Sequence, residues 1–229
     1  MIELLGKKML ITAGSTAMPI DKVRILTNIF RGRTGENIAR AAAGAGWQVT
    51  LLSSAPTARE CTDHPLLKRR RYRTYDELAA LMESEIVNNR YDAIVHSAAV
   101  GDFRLAQVHV MGDDGRLARL QAEGAAAAKI PSNHDRLFLE LVPTLKLVDQ
   151  IRDPWGFRGQ LVKFKLQAAM TDAELLDVAR RSLAHSRADY LVANCLEWCD
   201  KYAYILDAAG GTEKVGRNEL PGRLLGRLT

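Results

Sequence analysis

The chain, 229 residues long, predicts an α/β fold: a three-layer, mainly parallel sheet with helices on both faces. Three observations carry this expectation. Short apolar runs such as Met9-Leu10-Ile11 and Ala93-Ile94-Val95 read as buried strands. They alternate with stretches of helical spacing, the order that builds parallel crossovers. The first run ends on Gly14, and Gly32 and Gly35 stand ahead of an alanine-rich segment. Glycines at a helix start leave backbone N–H groups bare, and the helix dipole adds positive charge, which suits a phosphate.

Taken in order, residues 8–13 predict the first strand. A long loop through Asn28 follows, and then a helix over 35–45. Residues 49–53 form a second strand. Residues 68–73 are weakly apolar and carry Lys68-Arg69-Arg70-Arg71 and Arg73, which fits a strand at a sheet edge protected by basic side chains. Leu78, Leu81, Met82 and Ile86 give 75–88 a helical spacing, and 92–96 is a further strand. From 97 to 129 the chain reads as irregular. It contains Gly112-Asp113-Asp114-Gly115 and a run of four alanines after Gly124. A connection that long is usually functional, so a protruding arm is expected at about 102–130.

Residues 136–141 alternate and predict a strand, and Pro143-Thr144 opens a helix to 151. A turn at Asp153-Pro154-Trp155-Gly156 leads to a strand over 160–166. Thr171 with Glu174 three residues on forms a capping box for a helix to 184. A strand over 189–193, a hairpin of 202–206 with 213–215, and a helix over 218–228 complete one domain spanning 1–229.

Composition narrows the function. The apolar fraction is 47% and the charged fraction 26%, ordinary for a globular protein. No run approaches the roughly 18–20 apolar residues of a membrane span, and residues 1–8 lack signal-peptide organisation, so a cytoplasmic protein without a membrane partner is expected. Cys61, Cys195 and Cys199 are odd in number and read as free thiols in a reducing compartment. The histidines show no metal-binding spacing, and no metal ligands are assigned. His96, at a strand end, is expected to be a hydrogen-bonded packing residue. The net charge of +5 suits phosphorylated, anionic substrates. The basic run lacks interleaved aromatics, so no nucleic-acid partner is expected.

Ligands in parallel sheets bind beyond the carboxyl ends of strands. Those ends carry Gly14-Ser15-Thr16, Ser97-Ala98-Ala99, Phe164-Lys165 and Asn194, which points to one cleft. The three-glycine dinucleotide fingerprint and the Gly-Lys-Ser/Thr loop are both missing. A phosphate or nucleotide site of unusual construction is the reading of the residues alone.

Together these motifs resemble phosphopantothenate–cysteine ligase, also called phosphopantothenoylcysteine synthetase, over nearly the whole chain. Ile11-Thr12-Ala13-Gly14-Ser15-Thr16 is similar to the family's first strand and turn. Pro19-Ile20-Asp21-Lys22-Val23-Arg24 carries its Ile-Asp-x-Val-Arg. Thr27-Asn28 with Gly32 and Gly35 resembles its Asn-containing glycine loop. Ala98 to Phe103, Lys129-Ile130, Leu139 to Thr144, Phe164-Lys165-Leu166 and Val192-Ala193-Asn194 follow in the family's order. With no flavin-dependent decarboxylase domain ahead of it, the resemblance is to the stand-alone form.

The resemblance implies a Rossmann-like fold with a flap, a homodimer, and small-molecule substrates: a nucleotide, phosphopantothenate and cysteine. It implies magnesium with ATP or CTP, and an acyl-nucleotidate intermediate. It gives Asn28 and Lys129 catalytic roles. Nucleotide binding falls to Gly14, Ser15, Gly32, Gly35, Ala98, Ala99, Asp102, Phe164, Lys165 and Asn194. The sequence departs from the family at Phe30 and Arg31, where two hydroxyl residues are usual, and Arg31 is then a substrate-binding candidate. It also departs at Ser15, at Lys163 where many members have Gly or Ser, and at Cys195. Those changes keep two further readings open: the same chemistry on another carboxylate, and a non-catalytic nucleotide-binding protein. Arg24 is expected to be structural, paired with Asp21.

Overall fold

A computed structural model describes residues 6–55, 64–112, 115–120 and 129–228. The chain opens with β1 (Lys8–Ala13), β2 (Ala17–Pro19), β3 (Ile25–Thr27), α1 (Arg33–Gly44), β4 (Gln48–Ser53), β5 (Leu67–Arg71), α2 (Tyr75–Asn88) and β6 (Ala93–His96). It continues through β7 (Phe103–Met111), β8 (Leu117–Arg119), β9 (Leu137–Pro143), α3 (Leu147–Gln150) and β10 (Gln160–Gln167). It closes with α4 (Asp172–His185), β11 (Tyr190–Cys195), β12 (Tyr202–Asp207), β13 (Thr212–Gly216) and α5 (Leu220–Leu225).

Eight strands form the central sheet in the order β13-β12-β11-β10-β6-β1-β4-β5. The six from β11 to β5 run parallel, and β12 and β13 add an antiparallel hairpin at one edge. Alternate residues of each buried strand supply two core layers. Met9, Ile11, Val95 and Val162 pack with α1 and α5 on one face. Leu10, Ile94, Leu161 and Leu191 pack with α2, α3 and α4 on the other. Strands buried on both faces need apolar residues at every position, which is why β1 is buried from Met9 through Ala13.

The predicted α/β class is the observed one, with a three-layer arrangement, a mainly parallel sheet and a terminal hairpin. The capping boxes of α2 (Thr74 with Glu77) and α4 (Thr171 with Glu174) are both formed. The basic strand β5 is at the sheet edge, and Arg69 and Arg70 are ion-paired to Glu36 and Glu85.

The departures are informative. The loop expected between Gly14 and the first helix contains the β2–β3 hairpin, and the helix starts at Arg33. The segment expected to be irregular forms β7 and β8, which join β9 in a separate three-stranded antiparallel sheet. Only Val108 of β7 is buried, so the strand lacks the one-sided apolar alternation that would reveal it. Pro143 ends β9 in register with Phe103 rather than opening a helix. The helices α3 and α5 are each shorter than expected. Cys61, Asp113, Asp114 and the run Gly124 to Ala128 lie outside the described residues.

Candidate active site

Strands β1 and β6 are neighbours, yet the chain leaves β1 toward β4 and leaves β6 toward β10. The strand order therefore reverses between them, and the crevice beyond their carboxyl ends is where such sheets take ligands. Gly14 turns the chain there with φ of 88°. Beyond it the two strand ends continue as a short zipper. The Ala99 N–H donates to the Gly14 carbonyl (2.8 Å), and the Thr16 N–H donates to the Ala99 carbonyl (3.3 Å). The Gly101 N–H donates to Thr16 Oγ1 (2.8 Å), and the Ala98 N–H to Thr12 Oγ1 (3.1 Å). The N–H groups of Ala98 and Ala99 are thus used within the fold. What these residues offer a base is methyl surface and the Ala98 carbonyl.

Asn28 joins this zipper. Its Nδ2 donates to the Ala99 carbonyl over 3.2 Å, while the preceding Thr27 hydroxyl donates to the Thr16 carbonyl (2.9 Å). A cleft of about 440 Å³ opens beside it, lined by Thr16, Met18, Asn28, Tyr75, Asp102 and Phe103 among others. Asp102 is exposed and ion-paired with Lys146, a cation at the rim that the sequence reading did not single out. An exposed pair of this kind contributes little to stability, so both groups remain available to a ligand. Ser15, expected at the nucleotide, gives its hydroxyl proton to the Phe30 carbonyl at 2.6 Å and so ties down the glycine loop.

Gly32 caps α1 in the left-handed conformation, and no side chain caps the first turn. Its N–H groups are therefore open to an anion. Asn194, at the end of β11, is brought to this turn by Arg217, a residue sequence reasoning missed. The Arg217 Nη1 donates to Asn194 Oδ1 (3.2 Å) and its Nη2 donates to the Thr34 hydroxyl. Burial and nearby Arg33 lower the Arg217 guanidinium below its ordinary range. The available signal was an arginine directly after a hairpin strand that returns to the strand ends. Arg31 is exposed on the loop ahead of Gly32.

Two departures from the family pattern do not face this cleft. Lys163 is buried against α4, where its Nζ donates to Ser186 Oγ (2.7 Å) and the Ser182 carbonyl (3.2 Å). A cation there satisfies the last turn of a helix, and burial lowers its ammonium. Cys195 packs on the same face, its thiol donating to Glu197 Oε2 (2.7 Å). Both side chains turn toward α4 rather than lining the cleft. Phe164 packs on the α1 face, and Lys165, one residue along the strand, alternates onto the face of Lys163. His96 is buried, with Nδ1 2.9 Å from Thr12 Oγ1. That hydroxyl oxygen also accepts from the Ala98 N–H. His96 is a packing residue, as expected. Lys129 is exposed and directly precedes the buried Ile130.

Fold and cleft define a doubly wound α/β domain with its ligand crevice at the β1–β6 reversal. Residues 4–111 match the family model described as DNA/pantothenate metabolism flavoprotein C-terminal domain. The coenzyme A biosynthesis bifunctional protein CoaBC of Thermococcus kodakarensis is 32% identical over 197 residues, 85% of this chain and 43% of that protein. CoaBC of Escherichia coli is 37% identical over 109 residues, 46% of this chain and 25% of that protein. The solved structure of the DNA/pantothenate metabolism flavoprotein from Streptococcus pneumoniae superposes with a TM-score of 0.83 at 26% identity, covering 97% of this chain and 98% of that one. The chain spans less than half the length of the curated relatives it matches. By these matches the chain is similar to the DNA/pantothenate metabolism flavoprotein C-terminal domain and to coenzyme A biosynthesis proteins.

Proposed function

We propose that this chain joins 4'-phosphopantothenate to cysteine, using ATP or CTP with magnesium and releasing pyrophosphate. The observation that carries the reading is the Asn28 Nδ2 bond to the Ala99 carbonyl. It stations a side-chain amide at the strand-order reversal, with no hydrogen bond to Oδ1 among the described residues.

A carboxylate is a poor acyl donor because its oxygen leaves badly. In the first half-reaction a carboxylate oxygen attacks the α-phosphorus of the nucleotide. The bond between that phosphorus and the oxygen bridging to the β-phosphate breaks, and pyrophosphate departs. In the second, the cysteine nitrogen attacks the acyl carbon. The carbon–oxygen bond to the nucleotide breaks, the nucleoside monophosphate leaves with the electron pair, and the amine proton passes to solvent. Asn28, oriented by Ala99, has one remaining N–H for the acyl oxygen and Oδ1 for the amine. Lys129 and Lys146 supply positive charge for the triphosphate, and the first turn of α1 receives a phosphate. The carboxylates lining the cleft are Asp76 and Asp102, and no cluster of three metal ligands forms among the described residues. Magnesium bound with the nucleotide would shield the charge of its triphosphate, with Asp76 and Asp102 the carboxylates beside it.

A cytoplasmic homodimer is part of the same reading. Phe103, Leu117, Leu137 and Leu141 are exposed large apolar side chains on the small sheet, which supports a second copy as their cover.

The test is pyrophosphate release by the purified protein with phosphopantothenate, cysteine and magnesium, comparing ATP with CTP. Release that needs every component supports the reading and names the nucleotide. Asn28→Ala should abolish turnover and leave nucleotide binding within about threefold. Undiminished turnover in that variant would sink the assignment.

A further inference from the structure

The turn between β2 and β3 grips the chain more than a hundred residues away. Asp21 has a buried side chain, 2% exposed. Its Oδ1 accepts the N–H groups of Val23 (2.8 Å) and Arg24 (2.7 Å). Its Oδ2 accepts Arg24 Nε (2.9 Å), Arg24 Nη2 (2.6 Å) and the Ile130 N–H (3.0 Å). The same Arg24 Nη2 donates to the Ile130 carbonyl at 2.6 Å. One ion pair therefore holds both main-chain groups of Ile130, as a neighbouring strand would, and the Ile130 side chain is buried beneath it. The Arg24 guanidinium keeps the Asp21 carboxyl far below the ordinary carboxylate range, so the grip is charged at every working pH.

Neither Asp21 nor Arg24 lines the cleft, so neither touches substrate there. Their hairpin, however, leads straight to Asn28. Its turn fixes Ile130, and its exit is fixed by Thr27 on Thr16 and Asn28 on Ala99. Lys129, through the adjacent Ile130, and Asn28 are thus referenced to one hairpin. We propose that Asp21 and Arg24 are positioning residues that set the approach of Lys129 to the Asn28 cleft. This rests on the ligase reading above, because it is there that Lys129 has work to do. A side-chain ammonium released from its anchor loses orientation, and small misplacements of catalytic groups lower rates by large factors.

The test is a double-mutant cycle with Asp21→Asn and Lys129→Ala, joined to hydrogen exchange at the Ile130 amide. Asp21→Asn preserves shape and removes the charge. It should lower kcat at least about tenfold with the nucleotide KM within about twofold. In the Lys129→Ala background the same change should cost less than about twofold, since coupled residues are not additive. Equal losses in both backgrounds would overturn the proposal, because a merely structural role is additive. Should Asp21→Asn not fold, Arg24→Lys, at a partly exposed position that keeps the charge and loses the fork, carries the same cycle. The Ile130 amide should exchange slowly in the native protein and markedly faster in either variant, and unchanged exchange would overturn the grip. An inactive native protein would defeat the ligase reading and the Lys129 role with it, while exchange still decides whether the grip exists.

Discussion

Gly32 lies directly on the backbone of Gly14. A Cβ placed on Gly32 would come within 2.9 Å of the Gly14 Cα and closer still to its nitrogen. The first turn of α1 is therefore seated on the end of β1, main chain against main chain. Gly35 makes the next such contact, where a Cβ would be 2.6 Å from both the Ala13 Cβ and Ser97 Oγ. The lack of a side chain at these two positions permits the approach that puts the first-turn N–H groups of α1 at the crevice.

The contact predicts opposite outcomes for one substitution at two places in α1. Gly32→Ala meets immovable backbone at φ of 79° and should destabilise by about 2–4 kcal/mol. Gly44→Ala has open space around it and should be neutral or stabilising by up to about 1 kcal/mol. Chemical denaturation of both variants checks this, and equal midpoints would refute the seating.

His96 gives the fold a pH dependence with a defined sign. Burial first, and then the Lys163 charge, push its imidazole down to about 4, whereas in an unfolded chain it titrates near 6.5. Between those values the unfolded state binds the extra proton. The contribution to stability is complete above about pH 6.5, and is lost as pH falls toward 4. It amounts to about 3 kcal/mol at most. Thermal melts from pH 7 to 4.5 should fall more steeply for the native protein than for His96→Gln, and parallel curves would remove His96 as the source.

Arg217 is the link between β11 and α1, so its loss should be felt at Asn194. Arg217→Ala frees the Asn194 amide and the Thr34 hydroxyl together, and should raise KM for an anionic substrate about tenfold. Arg217→Lys keeps the charge without the two-way fork and should recover only part of it. Initial rates at varied substrate decide the matter. A KM unchanged in Arg217→Ala would make the link purely architectural.

The parallel sheet was legible because buried strands need continuous apolar runs, and β1, α2 and the α4 cap have the expected residues at the expected places. The β2–β3 hairpin and β7 were not, because Ile25, Leu26 and Phe103 are exposed and show no one-sided pattern. The site divides the same way. Asn28, Gly32 and Asn194 stand at strand ends and turns that pattern can locate. Arg217 and Lys146 enter through pairings across the fold that no local spacing encodes. Orientation was hidden too: Lys163 and Cys195 are near the strand ends, and only alternation along β10 and β11 shows that they turn toward α4.

The bonds that assemble the cleft share one property, the span of chain they close. Asn28 to Ala99 joins residues 71 apart, Thr12 to His96 84 apart, Asp21 to Ile130 109 apart and Arg217 to Thr34 183 apart. Such distant closures come slowly in folding, and synthesis delivers the amino-terminal partners first. The glycine turn and Asn28 leave the ribosome long before Ile130 and Arg217 exist to hold them. A chain lacking the β12–β13 hairpin is therefore left with an unfinished crevice, because Arg217, which follows that hairpin, is what joins Asn194 to the first turn of α1.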